Sequence, residues 1–265
     1  MPLKYAFMTF STPDWEWDEI LKFAADTGYD GIEPRCGSGH RHGVEPDAGK
    51  DARAELRRKA EDADVAIACI AISTAFLNPK QSAHEKRDQT LRAIELAKDV
   101  GAPVIRAFGG GDGDSGSNAF ASANVDALAE SLDTLRPDAE AAGVALLIET
   151  HDFWTEPDTV AEVMKKVNSN AVGVNWDPMH PKRIHGVGIP ESYSILKPWI
   201  RHAHIHAGYQ GENKFHFVPF GDERDAFESR ELIRVAVEND FRGYLSGEWL
   251  GQWSNPREEL PRELK

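Results

Sequence analysis

The feature that most constrains the fold is a regular alternation of short apolar runs with longer amphipathic stretches along the whole chain. Several runs are rich in Val and Ile and almost continuously apolar, which is typical of parallel strands covered on both faces. Gly-containing turns such as Ala142-Gly143 precede several of them and favour the end of a helix. The eight predicted strands are Leu3–Met8, Gly31–Glu33, Val65–Ser73, Pro103–Phe108, Val144–Glu149, Val172–Trp176, Ile200–His206 and Tyr244–Glu248.

The stretches between the runs have the spacing of helices that bury one face. The predicted helices are Asp14–Thr27, Ala52–Asp62, Ala83–Val100, Asn118–Ala142, Pro157–Val167 and Phe227–Asn239, with a short one near Pro190–Lys197. Eight strands alternating with helices, without a linker, predict a single α/β domain over residues 1–265, a closed (β/α)8 TIM barrel.

The end of the chain leaves little room for an eighth helix, since only seventeen residues follow Glu248. We therefore expect this helix to be short or missing. The flank that it leaves exposed predicts contact with a partner subunit in a homo-oligomer.

Composition excludes several classes of protein. The net charge of −14 disfavours nucleic acid as a partner, because such proteins usually neutralise phosphates with clustered Lys and Arg. Two cysteines, Cys36 and Cys69, do not indicate a disulfide framework. The chain shows neither an apolar leader at its N-terminus nor a run long enough to span a bilayer, so we expect a cytoplasmic protein without membrane contact.

Polar residues close four successive predicted strands, where the apolar pattern stops. The carboxyl ends of parallel barrel strands converge at one rim, so these side chains are expected to meet. In the seventh strand the three histidines alternate and therefore share a face. The residues are Glu149, Asp177, the group His202, His204 and His206, and Glu248.

Three carboxylates at one rim repel one another, and a divalent cation would relieve the repulsion. Glu149, Asp177, Glu248 and one histidine of the seventh strand supply oxygen ligands and an imidazole. This mixture suits Mn²⁺ or Mg²⁺, with Mn²⁺ preferred, and Zn²⁺ and Co²⁺ remain alternatives. The pattern thus predicts one divalent metal ion.

A family resemblance rests on six stretches of the chain, which are GYDGIEPR, ALLIETHD, VGVNWDPMH, HAHIHAG, the segment from VPFGD to the next helix, and GYLSGEW. It resembles the xylose isomerase-like TIM-barrel superfamily, the group of sugar phosphate isomerases and epimerases. The resemblance implies that Glu149, Asp177, His206 and Glu248 hold the metal, because the family's ligand is the second histidine of its HxH, with Gly or Lys two positions later. His204, one layer deeper, remains the alternative ligand.

The resemblance also implies residues that contact the substrate. His180 stands three residues after Asp177, where the family has a substrate-contacting histidine. Glu33 stands where the family has an acid lining the pocket, although a salt bridge to Arg35 or Arg106 is an equal alternative.

Two further residues follow from their place in the strands. Arg106, near the end of the fourth strand, could hold a hydroxyl, carboxylate or phosphate in bidentate fashion. His151 follows Glu149 at i+2, so it points the same way and could line the pocket or support the site. Two loops, Gly109–Asn118 and Ala207–Ala226, are predicted to emerge at the same rim.

Together with these residues, the resemblance implies an enzyme that transfers a proton beside the carbonyl of a small sugar-like substrate. Glu149 and Glu248 would act as base and acid, through an enediolate at the metal, giving isomerisation or epimerisation. One alternative is a dehydratase or lyase acting on a keto-polyol or 3-keto-glycoside, and another is a sugar-binding barrel without catalysis. A nuclease resembling endonuclease IV is disfavoured by the charge and by the lack of a histidine in Ile72-Ser73-Thr74, at the end of the third strand.

Overall fold

The computed structural model describes residues 2–111, 124–212, 215–249 and 255–264. Nine parallel strands form one sheet that curls into a nearly closed barrel. The strands are β1 Lys4–Met8, β2 Gly31–Glu33, β3 Ala66–Ile67, β4 Ile70–Ala75, β5 Val104–Phe108, β6 Ala145–Glu149, β7 Val172–Trp176, β8 Ile200–Ile205 and β11 Tyr244–Gly247. Their order in the sheet is β3-β2-β1-β11-β8-β7-β6-β5-β4. The predicted (β/α)8 barrel is confirmed.

The third predicted strand, Val65–Ser73, is interrupted at residues 68–69 and forms both β3 and β4. The amide of Ala68 donates to the carbonyl of Ile32 at 2.8 Å. The next donor from the β2 side of this ladder would be residue 34, which is Pro34 and has no N–H. Beyond Pro34, an isolated parallel β-bridge between Arg35 and Ala71 joins the segment after β2 to β4.

Helices on the outside of the barrel cover the sheet and enclose the apolar core. They are α1 Trp17–Thr27, α2 Lys50–Asp62, α3 Ala83–Val100, α4 Val125–Asp133, α5 Arg136–Ala142, α6 Pro157–Val167, α7 Met179–His185, α8 Ile189–Leu196, α9 Ser229–Glu238 and α10 Pro256–Glu259. None of the helices in the described ranges is both long and apolar enough to cross a membrane.

Local sequence explains where α3 begins and ends. Ser82 caps its first turn, since its hydroxyl accepts from the Glu85 amide at 3.2 Å and the Glu85 carboxylate accepts from the Ser82 amide at 2.8 Å. Gly101 ends the helix with φ 81°, a left-handed conformation that costs glycine little.

Two predicted elements differ from the structure. The helix predicted over Asn118–Ala142 is two helices, α4 and α5, and its first residues lie outside the described chain. Pro137 lacks the amide that would bond to the carbonyl of Asp133, so the first helix cannot continue through this point.

The predicted loop Ala207–Ala226 contains an antiparallel pair of short strands, β9 Gly208–Gln210 and β10 Phe215–Phe217. The rings of Tyr209 and His216 stack across it with centroids 5.0 Å apart. Of the other predicted loop, Gly109–Asn118, residues 112–118 lie outside the described ranges.

The eighth helix is short, as predicted. In the described part of the chain after β11, α10 spans four residues and a 3-10 turn follows over Leu260–Arg262. Leu260 is fully buried, and its carbonyl accepts a hydrogen bond from the Tyr29 hydroxyl at 2.9 Å. The segment therefore packs onto the barrel near α1.

Candidate active site

The predicted acids lie together at the carboxyl ends of their strands. Glu149 is the last residue of β6, while Asp177 and Glu248 follow β7 and β11 directly. One ligand atom from each acid and one from His204 all lie within 4.8 Å of one another. The structure therefore brings the three carboxylates and an imidazole to a common point.

Two histidines of β8 and its end contact these acids from different depths. The Nδ1 atom of His204 lies 3.0 Å from Glu149 Oε1 and 3.3 Å from Glu248 Oε2. The Nε2 atom of His206 lies 3.0 Å from Asp177 Oδ2 and 3.5 Å from Glu248 Oε2. Either ring could supply the imidazole ligand, so His206 stays a prediction with His204 as its alternative.

The surroundings of His204 distinguish it from His206. Its second nitrogen, Nε2, lies 3.2 Å from Glu33 Oε1 and 3.2 Å from the Asn175 side-chain nitrogen. Both ring nitrogens of His204 are thus engaged by protein atoms. The Nδ1 atom of His206 is buried without a hydrogen-bond partner among the described residues.

Arg106 is a fully buried guanidinium that faces two of the carboxylates. Its Nε lies 3.3 Å from Glu149 Oε2 and its Nη2 lies 3.9 Å from Glu248 Oε1. Burial raises the pKa of Glu149, but Arg106 and then His204 lower it more, and the net shift is downward. Burial likewise raises the pKa of Asp177, but the neighbouring His206 lowers it more, and the net shift is again downward. The acids are therefore held as carboxylates.

Glu33 lies below this cluster and is completely buried. Its Oε2 lies 2.9 Å from His202 Nε2, and its Oε1 lies 3.2 Å from His204 Nε2. The alternative of a salt bridge to Arg35 or Arg106 is wrong, since the ion pairs of Glu33 in the described chain are with the two histidines. Both come from β8, which sequence periodicity could not place beside Glu33.

His180 and His151 lie next to Asp177 on the open side. His180 Nε2 is 3.4 Å from Asp177 Oδ2, and the rings of His180 and His151 meet edge to face with centroids 4.4 Å apart. Burial lowers the pKa of His180 to about 4. Burial also lowers that of His151, but Asp152, 2.7 Å away, and Glu149 raise it to about 9. The pair combines a neutral and a protonated imidazole.

Sequence reasoning missed two residues that position the site. Thr150 fixes the turn after β7, because its hydroxyl donates to the Asp177 carbonyl and accepts from the Asp177 amide, both at 2.8 Å. Asn175 contacts His204 from inside β7. The signal for Asn175 was present, since it is the polar residue in an otherwise apolar strand and precedes Asp177 by two positions.

The cluster fits a divalent cation. Glu149 Oε2 is buried without a hydrogen bond from any described residue, although Arg106 lies near it. Three carboxylates face one guanidinium and the imidazoles. Hard oxygen ligands with one imidazole suit Mn²⁺ or Mg²⁺, and Zn²⁺ also accepts such a set.

Comparison with known proteins identifies the family of this fold. The family model described as xylose isomerase-like TIM barrel matches residues 21–265. The chain belongs to the xylose isomerase-like TIM-barrel family. The predicted resemblance is therefore confirmed.

A curated relative of this xylose isomerase-like barrel is the C-glycoside deglycosidase alpha subunit of Arthrobacter globiformis. The two are 26% identical over 107 residues, which are 38% of this chain and 28% of the relative. The chain thus matches little more than a quarter of that protein's length.

Solved structures share the fold of this xylose isomerase-like barrel over 99% of its length. The probable 3-DHS dehydratase AsbF of Bacillus anthracis has a TM-score of 0.81, 18% identity and 97% of its own chain covered. The 3-keto-D-glucoside 4-epimerase YcjR of E. coli has a TM-score of 0.78, 13% identity and 98% coverage. A xylose isomerase-like protein of Mycobacterium smegmatis, solved with magnesium, has a TM-score of 0.70, 19% identity and 96% coverage. At such identities the likeness concerns the fold.

Proposed function

We propose that this protein is a metal-dependent enzyme that moves a proton beside a carbonyl of a sugar-like substrate, as an epimerase or isomerase. The observation that carries the proposal is the convergence of three carboxylates and the His204 imidazole within 4.8 Å at the rim of the barrel, with His206 Nε2 3.0 Å from Asp177 Oδ2. The fold is shared with a 3-keto-D-glucoside 4-epimerase, which supports the same class of reaction.

Glu149, Asp177, Glu248 and His206 would hold one divalent ion, Mn²⁺ by preference. When bound, such an ion polarises a carbonyl and makes the neighbouring C–H more acidic. His206 is the imidazole that the family resemblance implies, and its Nε2 lies 3.0 Å from Asp177 Oδ2 and 3.5 Å from Glu248 Oε2. His204 would then support Glu149 and Glu248 from below.

Glu149 and Glu248 are placed to move the proton. Both are held as carboxylates, and His204 Nδ1 touches one oxygen of each. One, as the carboxylate, would take the proton from carbon. The other, after binding a proton from solvent, would return it to the opposite face, which gives epimerisation, or to the neighbouring carbon, which gives isomerisation. Arg106 would stabilise negative charge that develops near Glu149.

His180 and His151 would hold substrate hydroxyls. They lie on the open side of Asp177, and 35% of the His151 side chain is exposed. A neutral and a protonated imidazole offer both an acceptor and donors to a polyhydroxylated ligand. Glu33, which is fully buried and bonded to two histidines, would line the pocket from below.

A lyase is the second candidate, favoured by the fold shared with a probable dehydratase and the partial match to a C-glycoside deglycosidase subunit. The same base would remove the proton, and a leaving group at the β-carbon would then depart from a keto-polyol or 3-keto-glycoside.

The protein is further proposed to act in the cytoplasm as a homo-oligomer, without nucleic acid. Light scattering after gel filtration would measure the oligomeric state.

The test is deuterium uptake. Purified protein is assayed for bound metal, loaded with Mn²⁺, and incubated with a panel of ketoses and 3-keto-glycosides in D₂O. We expect deuterium at the carbon beside the carbonyl, lost with EDTA and restored by Mn²⁺. New ultraviolet absorption with loss of water or aglycone would indicate the lyase instead.

Glu149→Gln and Glu248→Gln should each lower the uptake rate by about 10²- to 10⁴-fold. Glu61→Gln, a change at an exposed acid on α2, is the matched control and should leave the rate unchanged. If either variant at the rim retained its metal and its full rate, that residue would not be the acid or base.

A further inference from the structure

A cavity of about 740 Å³ lies beside the metal-ligand cluster, at the same end of the barrel. We call it the lateral cavity. Its walls come from the loop after β2, from the carboxyl end of β4 and from α3, and they include Glu45, Asp47, Ser73, Thr74, Gln89 and Arg92. The volume falls within the range of small-molecule sites, about 300 to 1,000 Å³.

The lateral cavity and the candidate active site share a wall. Ile72 lines the cavity, and its carbonyl accepts a hydrogen bond from Arg106 at 3.3 Å, while Arg106 faces Glu149. Arg35 completes the wall, since its guanidinium donates to the Ser73 hydroxyl on the cavity side. Only a few side chains thus separate the two spaces.

Arg35 is close to both spaces. Burial lowers its pKa and so does the neighbouring Arg106, whereas Glu248 of the rim opposes the shift. Its backbone amide donates to the Thr9 hydroxyl at 2.9 Å, and the same hydroxyl lies 3.0 Å from the ring of His40, which lines the cavity. This wall is therefore fixed by hydrogen bonds from Thr9, directly after β1, and from the loop after β2.

The chemistry of the walls suits a neutral polyhydroxylated ligand. Hydroxyls and amides of Ser73, Thr74 and Gln89 offer donors and acceptors in close succession, and Thr74 donates to Gln89 at 3.3 Å. The formal charges of Glu45 and Asp47 are balanced by those of Arg92 and Arg35, so the walls offer a phosphate no net attraction. The pKa of His40 is lowered by burial, which leaves this ring neutral.

We propose that the lateral cavity binds a second sugar ring, so that the substrate is a neutral glycoside of at least two rings. This inference rests on the proposed function for its reaction but has its own binding site. One ring would lie over Glu149 and Glu248. The next ring would lie on the cavity side of Arg35, against Thr74 and Gln89. A phosphorylated monosaccharide is the ligand that this arrangement disfavours.

The test compares three probes on the Mn²⁺-loaded enzyme by saturation-transfer NMR, which detects binding without turnover. Cellobiose and methyl β-D-glucopyranoside share a β-glucoside ring and differ by the second ring, and glucose 6-phosphate adds the charge. The variant Gln89→Trp fills the cavity from the exposed face of α3. Lys98→Trp, on the same helix outside the cavity, is its matched control.

We expect cellobiose to bind more tightly than the other two probes, with saturation on both rings. Gln89→Trp should weaken cellobiose at least tenfold and leave methyl glucoside unchanged, while Lys98→Trp should behave as the parent protein does. Equal loss of both glucosides, no loss of either, or tightest binding of glucose 6-phosphate would overturn the proposal.

Failure of this inference can be told apart from failure of the proposed function. If Gln89→Trp selectively weakens cellobiose but the parent enzyme never exchanges protons in D₂O, the cavity stands and the reaction fails. If exchange occurs and Gln89→Trp affects both glucosides alike, the reaction stands and the second subsite fails.

Discussion

Two layers of ionisable side chains lie one above the other inside the barrel, and they differ in their balance of charge. The rim layer has three acids with one histidine of its own, whereas the buried layer has one acid with two histidines. The rim layer is Glu149, Asp177, His206 and Glu248, and the buried layer is Glu33, His202 and His204.

The comparison shows that residue types alone do not make a metal site. In the buried layer each oxygen of Glu33 meets an imidazole, so the carboxylate is satisfied by the protein. In the rim layer the carboxylates outnumber the cations near them, and Glu149 keeps an oxygen without a hydrogen bond. An excess of acid at the rim, rather than the presence of acids and histidines, is what a divalent ion would compensate.

The largest expected effect comes from removing one rim charge. Asp177→Asn keeps the size of the side chain but removes a negative ligand, so we expect Mn²⁺ affinity to fall about a hundredfold or more. The measurement is competition with a chelator, followed by metal analysis. Asp138→Asn, at an exposed acid on α5, is the control. Unchanged affinity in Asp177→Asn would remove Asp177 from the ligand set.

The next effect separates the two layers. Glu33→Gln leaves two buried imidazoles without their carboxylate, so the free energy of unfolding should fall by about 3 kcal/mol. Metal stoichiometry should stay at that of the parent protein, because Glu33 lies outside the rim cluster. Chemical denaturation and metal analysis of one preparation measure both quantities. Loss of metal without loss of stability would show that the layers act as one site.

The part of this arrangement that sequence could predict rests on local rules. Alternation along a strand placed His202, His204 and His206 on one face, and the convergence of parallel strand ends brought Glu149 and Asp177 together. These rules need only the order of elements along the chain.

The rest depends on contacts between distant segments. The partners of Glu33 depend on which strand lies opposite β2 across the barrel axis, which periodicity does not encode. The pairing of β9 with β10 inside a predicted loop depends on a short irregular sequence, and the lateral cavity needs the relative position of α3 and the loop after β2. None of these three features is encoded by a repeating pattern in the sequence.

His42 shows what a buried imidazole does without an acid. Its Nδ1 accepts from the Val44 amide at 3.0 Å and its Nε2 lies 3.2 Å from the Arg35 carbonyl, an arrangement that suits the neutral ring. Burial lowers its pKa to about 4. The folded state then binds fewer protons than the unfolded state, so this stability is full above about pH 6.5 and is lost as pH falls toward 4.

His42→Gln retains one hydrogen-bond donor and one acceptor but cannot titrate. Between pH 7 and pH 4 the parent protein should therefore lose about 2 kcal/mol more unfolding free energy than the variant does. Urea denaturation at several pH values measures the difference. Parallel loss in both proteins would assign the acid sensitivity to other groups.

Glu263 is the converse, a largely buried acid without an imidazole. Burial raises its pKa to about 7, against the effect of the Phe220 amide, which donates to it at 2.9 Å. The folded state binds more protons here, so the stability contribution is full below about pH 4.5 and is lost as pH rises through 7. Glu263→Gln should stabilise the protein by about 1 kcal/mol at pH 8 and not at pH 4, as thermal denaturation would show. The same gain at both pH values would contradict the ionisation account.

The proline that interrupts the ladder between β2 and the third barrel strand gives the barrel a weak side. Between Ile32 and Ala71 the ladder loses a donor at Pro34, whereas the strands that carry the rim acids pair over four positions at β5–β6 and β6–β7. Local opening should begin at this seam, and amides of residues 68–71 should exchange with solvent earlier than those of β6 and β7. Such motion would change the width of the lateral cavity while Glu149 and Asp177, on the far side of the barrel, keep their spacing.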